Sequence, residues 1–370
     1  MSPELVPDPP IRCRERPIGV VGAGFIMADV QLAAYAEAGF RVVAIASRDA
    51  AKAAAVAARW SIPTVHPTPE ALIRDPDVEI LDLAVPPHLQ PDLIRLALAQ
   101  PHIKGILAQK PLAMRYEDAA ALADAARQAG KPVSVNQNMR FDQSMRVLKQ
   151  LLGRGDLGEP VIATIEMRAV PHWQPFLAGY DRLTLAAMSV HHLDVLRYLF
   201  GDPDDIYTAA RTDPRTAFAH RDGITASTLR FPSGLLATTL EDVWSGPKQD
   251  GFASDIYIKW RLEGTDGLAQ GTIGWPDYPT GSPSTLRYAS IRTTDGQWIE
   301  PRWTTRWFPQ AFIGVMEQLQ YAVETGTTPD LTIADNLNTM ALVEAAYRSL
   351  DERRAVRPSD IEAEYRRRSS

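Results

Sequence analysis

Residues 17–28 read PIGVVGAGFIMA, and this stretch decides the fold. The apolar run ending at Val21 meets Gly22-Ala23-Gly24, and a helix-like segment, FIMADVQLAAYAEAG, follows at once. Strand, glycine turn and helix in that order are what a dinucleotide-binding turn requires. Gly22 permits the tight turn and Gly24 lets the backbone approach a diphosphate. The helix start at Phe25 and Ile26 supplies N–H groups and a partial positive charge. The third glycine of the fingerprint is replaced by Met27, where close helix–strand packing favours a small side chain.

Working outward, short apolar runs alternate with amphipathic segments. RVVAIAS (41–47) precedes an Ala-rich helix from Asp49 to about Arg59, and ILDLAVP (80–86) precedes LQPDLIRLALAQ. IKGILAQKP (103–111) precedes YEDAAALADAARQAG, and KPVSVN (131–136) closes the series. This alternation predicts βαβ units and a parallel sheet covered on both faces. After about Asn138 the pattern changes. Two helices, FDQSMRVLKQLLG and MSVHHLDVLRYLFG, flank the alternating strand VIATIEMRAV, and short β-like segments recur from Asp205 to Glu300. Two helical stretches end the chain. The fold class expected is α/β: a doubly wound Rossmann domain over 17–137, then an α+β domain with an open, mostly antiparallel sheet over 138–370. The Pro-rich residues 1–16 read as a disordered lead-in.

Composition narrows the function. The formal net charge of −6 gives no electrostatic reason to expect nucleic acid or an anionic membrane as partner. No apolar stretch reaches the ~20 residues that span a bilayer. The lone cysteine, Cys13, excludes a disulfide within the chain, and a cytoplasmic home is the expectation.

The position ~20 residues beyond the glycines, where an acid would hold the ribose 2′-hydroxyl of NAD, carries Ser47 and Arg48. A hydroxyl donor beside a guanidinium suits a 2′-phosphate, so NADP is preferred, with NAD held open. In open α/β sheets ligands bind beyond the carboxyl ends of the strands. The segments lying there are VPPH (85–88), with Pro86 and His88, AQKP (108–111), with Lys110, and NQNMRF (136–141), with Asn138 and Arg140. A lysine partly desolvated in a cleft has a lowered pKa and can exchange a proton with a substrate hydroxyl. The same spacing is met by a solvated surface lysine.

These residues carry a resemblance. From Pro17 onward the chain resembles the glucose–fructose oxidoreductase/inositol dehydrogenase (Gfo/Idh/MocA) family. The likeness runs through the Gly-x-Gly turn, the VPPH loop, the Lys-Pro turn, Arg140-Phe141 and the helix VHHLDVLRYLFG. It implies an NAD(P)-dependent oxidoreductase acting on a hydroxyl-bearing carbon of a sugar, cyclitol or related polyol. It also implies a homo-oligomer, dimer or tetramer, formed through the C-terminal sheet. The family's Glu-Lys-Pro motif falls on Gln109-Lys110-Pro111, so the lysine is kept and the acid is not. Its Asp-x-x-x-His motif falls on Ala187 to His191, so the histidine is kept and the aspartate is not. Lys110 and His191 are the catalytic residues implied, with Asp194, three residues on, matching a common acid of the motif. Asp181 or Asp194 could replace the missing carboxylate, or Lys110 could act with His191 alone.

His191 and His192 diverge by ~100° on a helix, so one can face a cleft while the other packs. With Asp194 they lack the i, i+4 histidine spacing of a helical metal site, and no metal is expected. Of the many tryptophans, Trp173 in the loop PHWQPFLAGYDR is the candidate for a sugar ring's apolar face, with Tyr180 and Arg168 behind it. Two other functions share these motifs. One is a glycoside hydrolase or lyase that oxidises its sugar transiently. The other is a non-catalytic dinucleotide sensor, suggested by the missing Glu and Asp.

Overall fold

A computed structural model describes residues 4–169, 175–243, 256–274 and 281–369. The chain divides into two compact units, one built from residues 9–138 and 309–340 and the other from the remaining residues.

The first unit holds six parallel strands: β1 (Ile18–Val21), β2 (Val42–Ala46), β3 (Thr64–His66), β4 (Ile80–Leu83), β5 (Gly105–Ala108) and β6 (Val133–Val135). Their spatial order is β3-β2-β1-β4-β5-β6. That is the doubly wound order in which strand direction of travel reverses beside β1, creating a crevice at the carboxyl ends of β1 and β4. Ile18, Val20, Val21, Ile45, Leu81, Leu83, Ile106 and Leu107 are fully buried, as a sheet covered on both faces demands. The one charge inside a strand, Asp82, is also fully buried. Its Oδ2 accepts from the Tyr35 hydroxyl at 2.6 Å and the Gln31 amide at 2.7 Å, and burial pushes its carboxyl up to about 7.

Two expectations are corrected in this unit. Residues 309–340, read as part of the second domain, belong here. The helix Ala311–Thr325 buries Phe312, Val315, Met316, Leu319 and Ala322. Gly105 lets it approach β5 closely, since a Cβ there would stand 2.8 Å from Val323 Cγ2. Leu331 then bonds the edge strand through Val135 N–H at 3.0 Å. The Pro-rich lead-in, read as disordered, is tied to this unit by ion pairs within its stretch 9–16. Arg12 makes a two-point pair with Glu317 (2.8 and 2.9 Å) and lies over the Tyr321 ring, while Arg16 meets Glu79 at 2.6 Å and Glu324 at 2.7 Å. Composition reports that such a segment cannot build its own core. It does not report that waiting carboxylates supply the ordering energy from outside.

Among the described residues the second unit is built on seven strands: β7 (Pro160–Ala169), β8 (Asp205–Arg211), β9 (Ile224–Arg230), β10 (Leu236–Val243), β11 (Tyr257–Gly264), β12 (Gly267–Ile273) and β13 (Thr285–Ser290). They lie in the order β13-β12-β11-β7-β10-β9-β8, and every pairing is antiparallel except β7 with β10. Burial alternates along β10, with Ala237, Thr239, Glu241 and Val243 inward and Leu236 and Leu240 outward. Among the described residues no helix is long and apolar enough to cross a membrane.

Candidate active site

In the first unit the site begins at the turn after β1. Gly22 has φ +113°, and a Cβ there would stand 2.3 Å from the carbonyl oxygen of Ala84, just beyond β4. Only glycine lets the turn press this closely against its neighbour. At Gly24 a Cβ would meet nothing within 4 Å. Phe25 caps a helix that opens as a π-turn, Ile26–Gln31, and continues over Leu32–Ala38. Open space beside Gly24 and a helix N-terminus facing it fit a dinucleotide's diphosphate. Met27, in place of the third glycine, is fully buried within the widened first turn.

Ser47 and Arg48 follow β2 on the same edge of the sheet. Ser47 Oγ accepts from the Asp49 N–H at 3.3 Å, and the Asp49 carboxylate caps the next helix by accepting from Lys52 N–H at 3.0 Å. Asp49 is thereby committed to a helix start, and Arg48 is exposed. Pro86 and the exposed His88 occupy the loop after β4.

Lys110 follows β5, and its turn is organised by a residue that sequence reasoning missed. Gln90, fully buried at the head of the helix Gln90–Leu98, donates from Nε2 to the carbonyls of Gln109 and Pro111, both at 2.9 Å. Its Oε1 accepts the Gln109 N–H at 2.6 Å, and Gln109 Oε1 accepts the Lys110 N–H at 3.1 Å. The Lys110–Pro111 peptide is cis. Burial pulls the Lys110 ammonium down to about 8. After β6, Asn138 is folded back on Asn136, donating to its Oδ1 at 3.1 Å. Gln109 Nε2, Asn136 Nδ2 and both polar atoms of the Gln137 side chain are buried with no hydrogen-bond partner among the described residues. The carboxyl ends of β1, β2, β4, β5 and β6 therefore carry the glycine turn, Arg48, the His88 loop, Lys110 and a set of unspent amides on one edge.

In the second unit His191 is the second residue of the helix Val190–Phe200, which follows a π-turn, Leu185–Ser189. Asp222 fixes this entry. It accepts from the Leu183 and Leu185 N–H groups at 2.9 and 2.7 Å and from the Tyr347 hydroxyl at 2.9 Å. Arg182 lies over the Tyr347 ring and forks onto Glu344 at 2.8 Å twice. His191 is 4 % exposed and meets the Trp307 ring edge-on, with centroids 6.0 Å apart.

Residues 16–137 match the model of the oxidoreductase family with an NAD-binding Rossmann fold, and 145–270 match the GFO/IDH/MocA C-terminal domain. The chain belongs to the Gfo/Idh/MocA oxidoreductase family. It is 27 % identical over 332 residues to a D-apiose dehydrogenase of Paraburkholderia graminis, covering 88 % of this chain and 85 % of the relative. It is 26 % identical to D-xylose 1-dehydrogenase (NADP(+)) 2 of Haloferax volcanii, covering 91 % and 98 %. In fold it is similar to an oxidoreductase from Agrobacterium radiobacter crystallised with NAD+, L-tartaric acid and magnesium. That likeness has a TM-score of 0.79 at 22 % identity, over 94 % of this chain and 99 % of the other.

Within this Gfo/Idh/MocA frame the two departures from the family pattern can be located. Neutral Gln109 turns its side-chain oxygen onto the main chain of Lys110. Ala187 is buried in the π-turn. The two acids suggested as a replacement for the missing aspartate stand in different settings. Asp181 is exposed, and Asp194 takes a two-point pair from Arg140, with both bonds 2.6 Å, in a buried setting. Arg140, read at the ligand-binding edge, and Asp194, read as the motif's acid, are thus brought together as an ion pair that braces the histidine helix. Arg168, also read as a substrate contact, lies on the outward face of β7, opposite in register to Asp242 and bonded to the Tyr257 hydroxyl at 3.1 Å. Strand alternation puts it on the face away from Met167 and Glu241. Tyr180, half-buried, stacks edge-on with Phe176 at 6.1 Å. Trp173 lies outside the described residues. Among those residues no group of three or more His, Cys, Asp or Glu could hold a metal ion.

Proposed function

We propose that this Gfo/Idh/MocA protein moves hydride between a nicotinamide coenzyme and a hydroxyl-bearing carbon of a sugar, cyclitol or related polyol. The observation that carries the reading is the Lys110 turn: an amine drawn down to about 8 by burial, on the sheet edge that bears the glycine turn. The bound coenzyme supplies or takes up the hydride. Lys110 holds the reacting hydroxyl and exchanges its proton, and His191 is the second acid–base group. The buried amides of Gln109, Asn136 and Gln137 suit a ligand rich in hydroxyl or amide groups. Each polar group left without a partner costs about 1–3 kcal/mol. The names of the apiose and xylose dehydrogenases agree with this substrate class.

NADP is the coenzyme proposed, on the exposed Arg48 and the commitment of Asp49 to its helix cap. A charge-assisted contact to the 2′-phosphate is worth about 1.5–3 kcal/mol, so Arg48→Leu is expected to weaken NADP roughly 10- to 100-fold and to leave NAD within about threefold. Fluorescence titration with both coenzymes tests it; tighter binding of NAD by the unaltered chain would contradict the assignment.

The outward face of the second sheet is proposed as the contact between copies. Tyr207 on β8 and Leu236 and Leu240 on β10 are 45, 40 and 48 % exposed on one face of the sheet, with β9 between them. Light scattering should give the mass of two or four chains, and a single-chain mass at micromolar concentration would overturn this.

A further inference from the structure

Glu241 stands on the inward face of β10 and is fully buried, opposite Met167 of β7 and Thr225 of β9. Its carboxylate is bound by three groups. Ser189 Oγ donates to Oε2, Thr225 Oγ1 donates to Oε2 at 3.1 Å, and His192 Nδ1 meets Oε1. His192 is 1 % exposed and its Nε2 has no partner among the described residues, so the Glu241 contact is what holds the ring. Ser189 and His192 are three residues apart and share one face of the helix start. A single carboxylate therefore grips that face at two points, one residue before and one after the pair Val190-His191. On the far side, Asp194 is gripped by Arg140.

We propose that Glu241 is the positioning residue for His191, taking over from the carboxylate that Ala187 cannot provide. This rests on the reading of His191 as an acid–base group. The family's aspartate would act on the histidine directly from one turn away. Here the acid comes from a strand and acts through the helix backbone, locking its rotation with Ser189 and His192 as the two handles. The lever is steep: a ~10° rotation carries a group about 6 Å from the helix axis through roughly 1 Å. A misplacement of ~1 Å costs on the order of 100-fold in rate.

The test uses the full chain with 15N-labelled histidine rings, the His191 signal being assigned by its loss in His191→Asn. Glu241→Gln is expected to shift the His191 ring signal and to lower kcat 10- to 100-fold, while the coenzyme Kd stays within twofold. In a His191→Asn background the same substitution should change kcat by less than twofold, because the acid acts through that ring. An undiminished loss in that background, or an unmoved ring signal with unchanged kcat, overturns the proposal. If the unaltered chain turns over no sugar or polyol, the functional reading fails, and the ring signal alone decides whether Glu241 positions His191. If Glu241→Gln does not fold, Ser189→Ala removes one handle and should give a smaller shift with a 3- to 10-fold loss; no shift there sinks the idea.

Discussion

Lys110→Met is expected to lower kcat by about 10³-fold, within the 10²–10⁴ range of a positioned acid–base group, while the coenzyme Kd stays within about threefold. The pH dependence should change with it. Burial holds the ammonium near 8, so the neutral amine that accepts a hydroxyl proton accumulates above that value. Oxidation by the unaltered protein should therefore rise with pH through about 8 and level off, and reduction should fall over the same range. Both limbs vanish in Lys110→Met. Stability moves the other way. A lysine whose folded-state pKa is depressed from 10.5 to about 8 loses native stability as pH falls through that interval, and the whole cost is present at pH 7. Discounted for its partial exposure, the substitution should stabilise the chain by about 1–3 kcal/mol at neutral pH. An activity loss joined to a stability loss would mean that Lys110 only props the turn.

Gly22→Ala should weaken coenzyme binding at least about 100-fold and lower the melting temperature. The new Cβ would stand 2.3 Å from a backbone oxygen that cannot rotate away, at φ +113°, a conformation side-chain-bearing residues rarely adopt. Gly24→Ala is the informative companion. Its Cβ meets nothing within 4 Å, so stability should hold within about 0.5 kcal/mol while coenzyme affinity still falls, because the methyl enters the space the diphosphate needs. Calorimetric titration and thermal melting of both variants separate the two effects. Equal melting losses would show that Gly24 serves the fold rather than the ligand.

The Rossmann sheet was legible because its strands are short apolar runs between helices, a pattern that leaves few alternatives. The strand β3 escaped because Thr64 and Val65 are exposed at the sheet edge and carry no apolar run. The placement of 309–340 was not readable, since chain order says nothing about which sheet face an apolar helix will cover. The same limit applies to partners. Arg140 and Asp194 announce charges suited to a site, and only the folded chain shows that each satisfies the other. Gln90 looks like an ordinary helix residue until its three bonds to the Lys110 turn are seen. Glu241 is hidden by its own strand. Leu236 and Leu240 suggest that their face is the buried one, yet they point outward and the acid points in.

The account stands on hydride transfer by the chain itself. Purified protein should be mixed with NADP or NAD and a panel of aldoses, cyclitols and polyols, and nicotinamide absorbance followed at alkaline pH. The account predicts reduction of at least one coenzyme by at least one such substrate, faster with NADP and slowed about 10³-fold in Lys110→Met. Binding of neither coenzyme, or full turnover without Lys110, would contradict it.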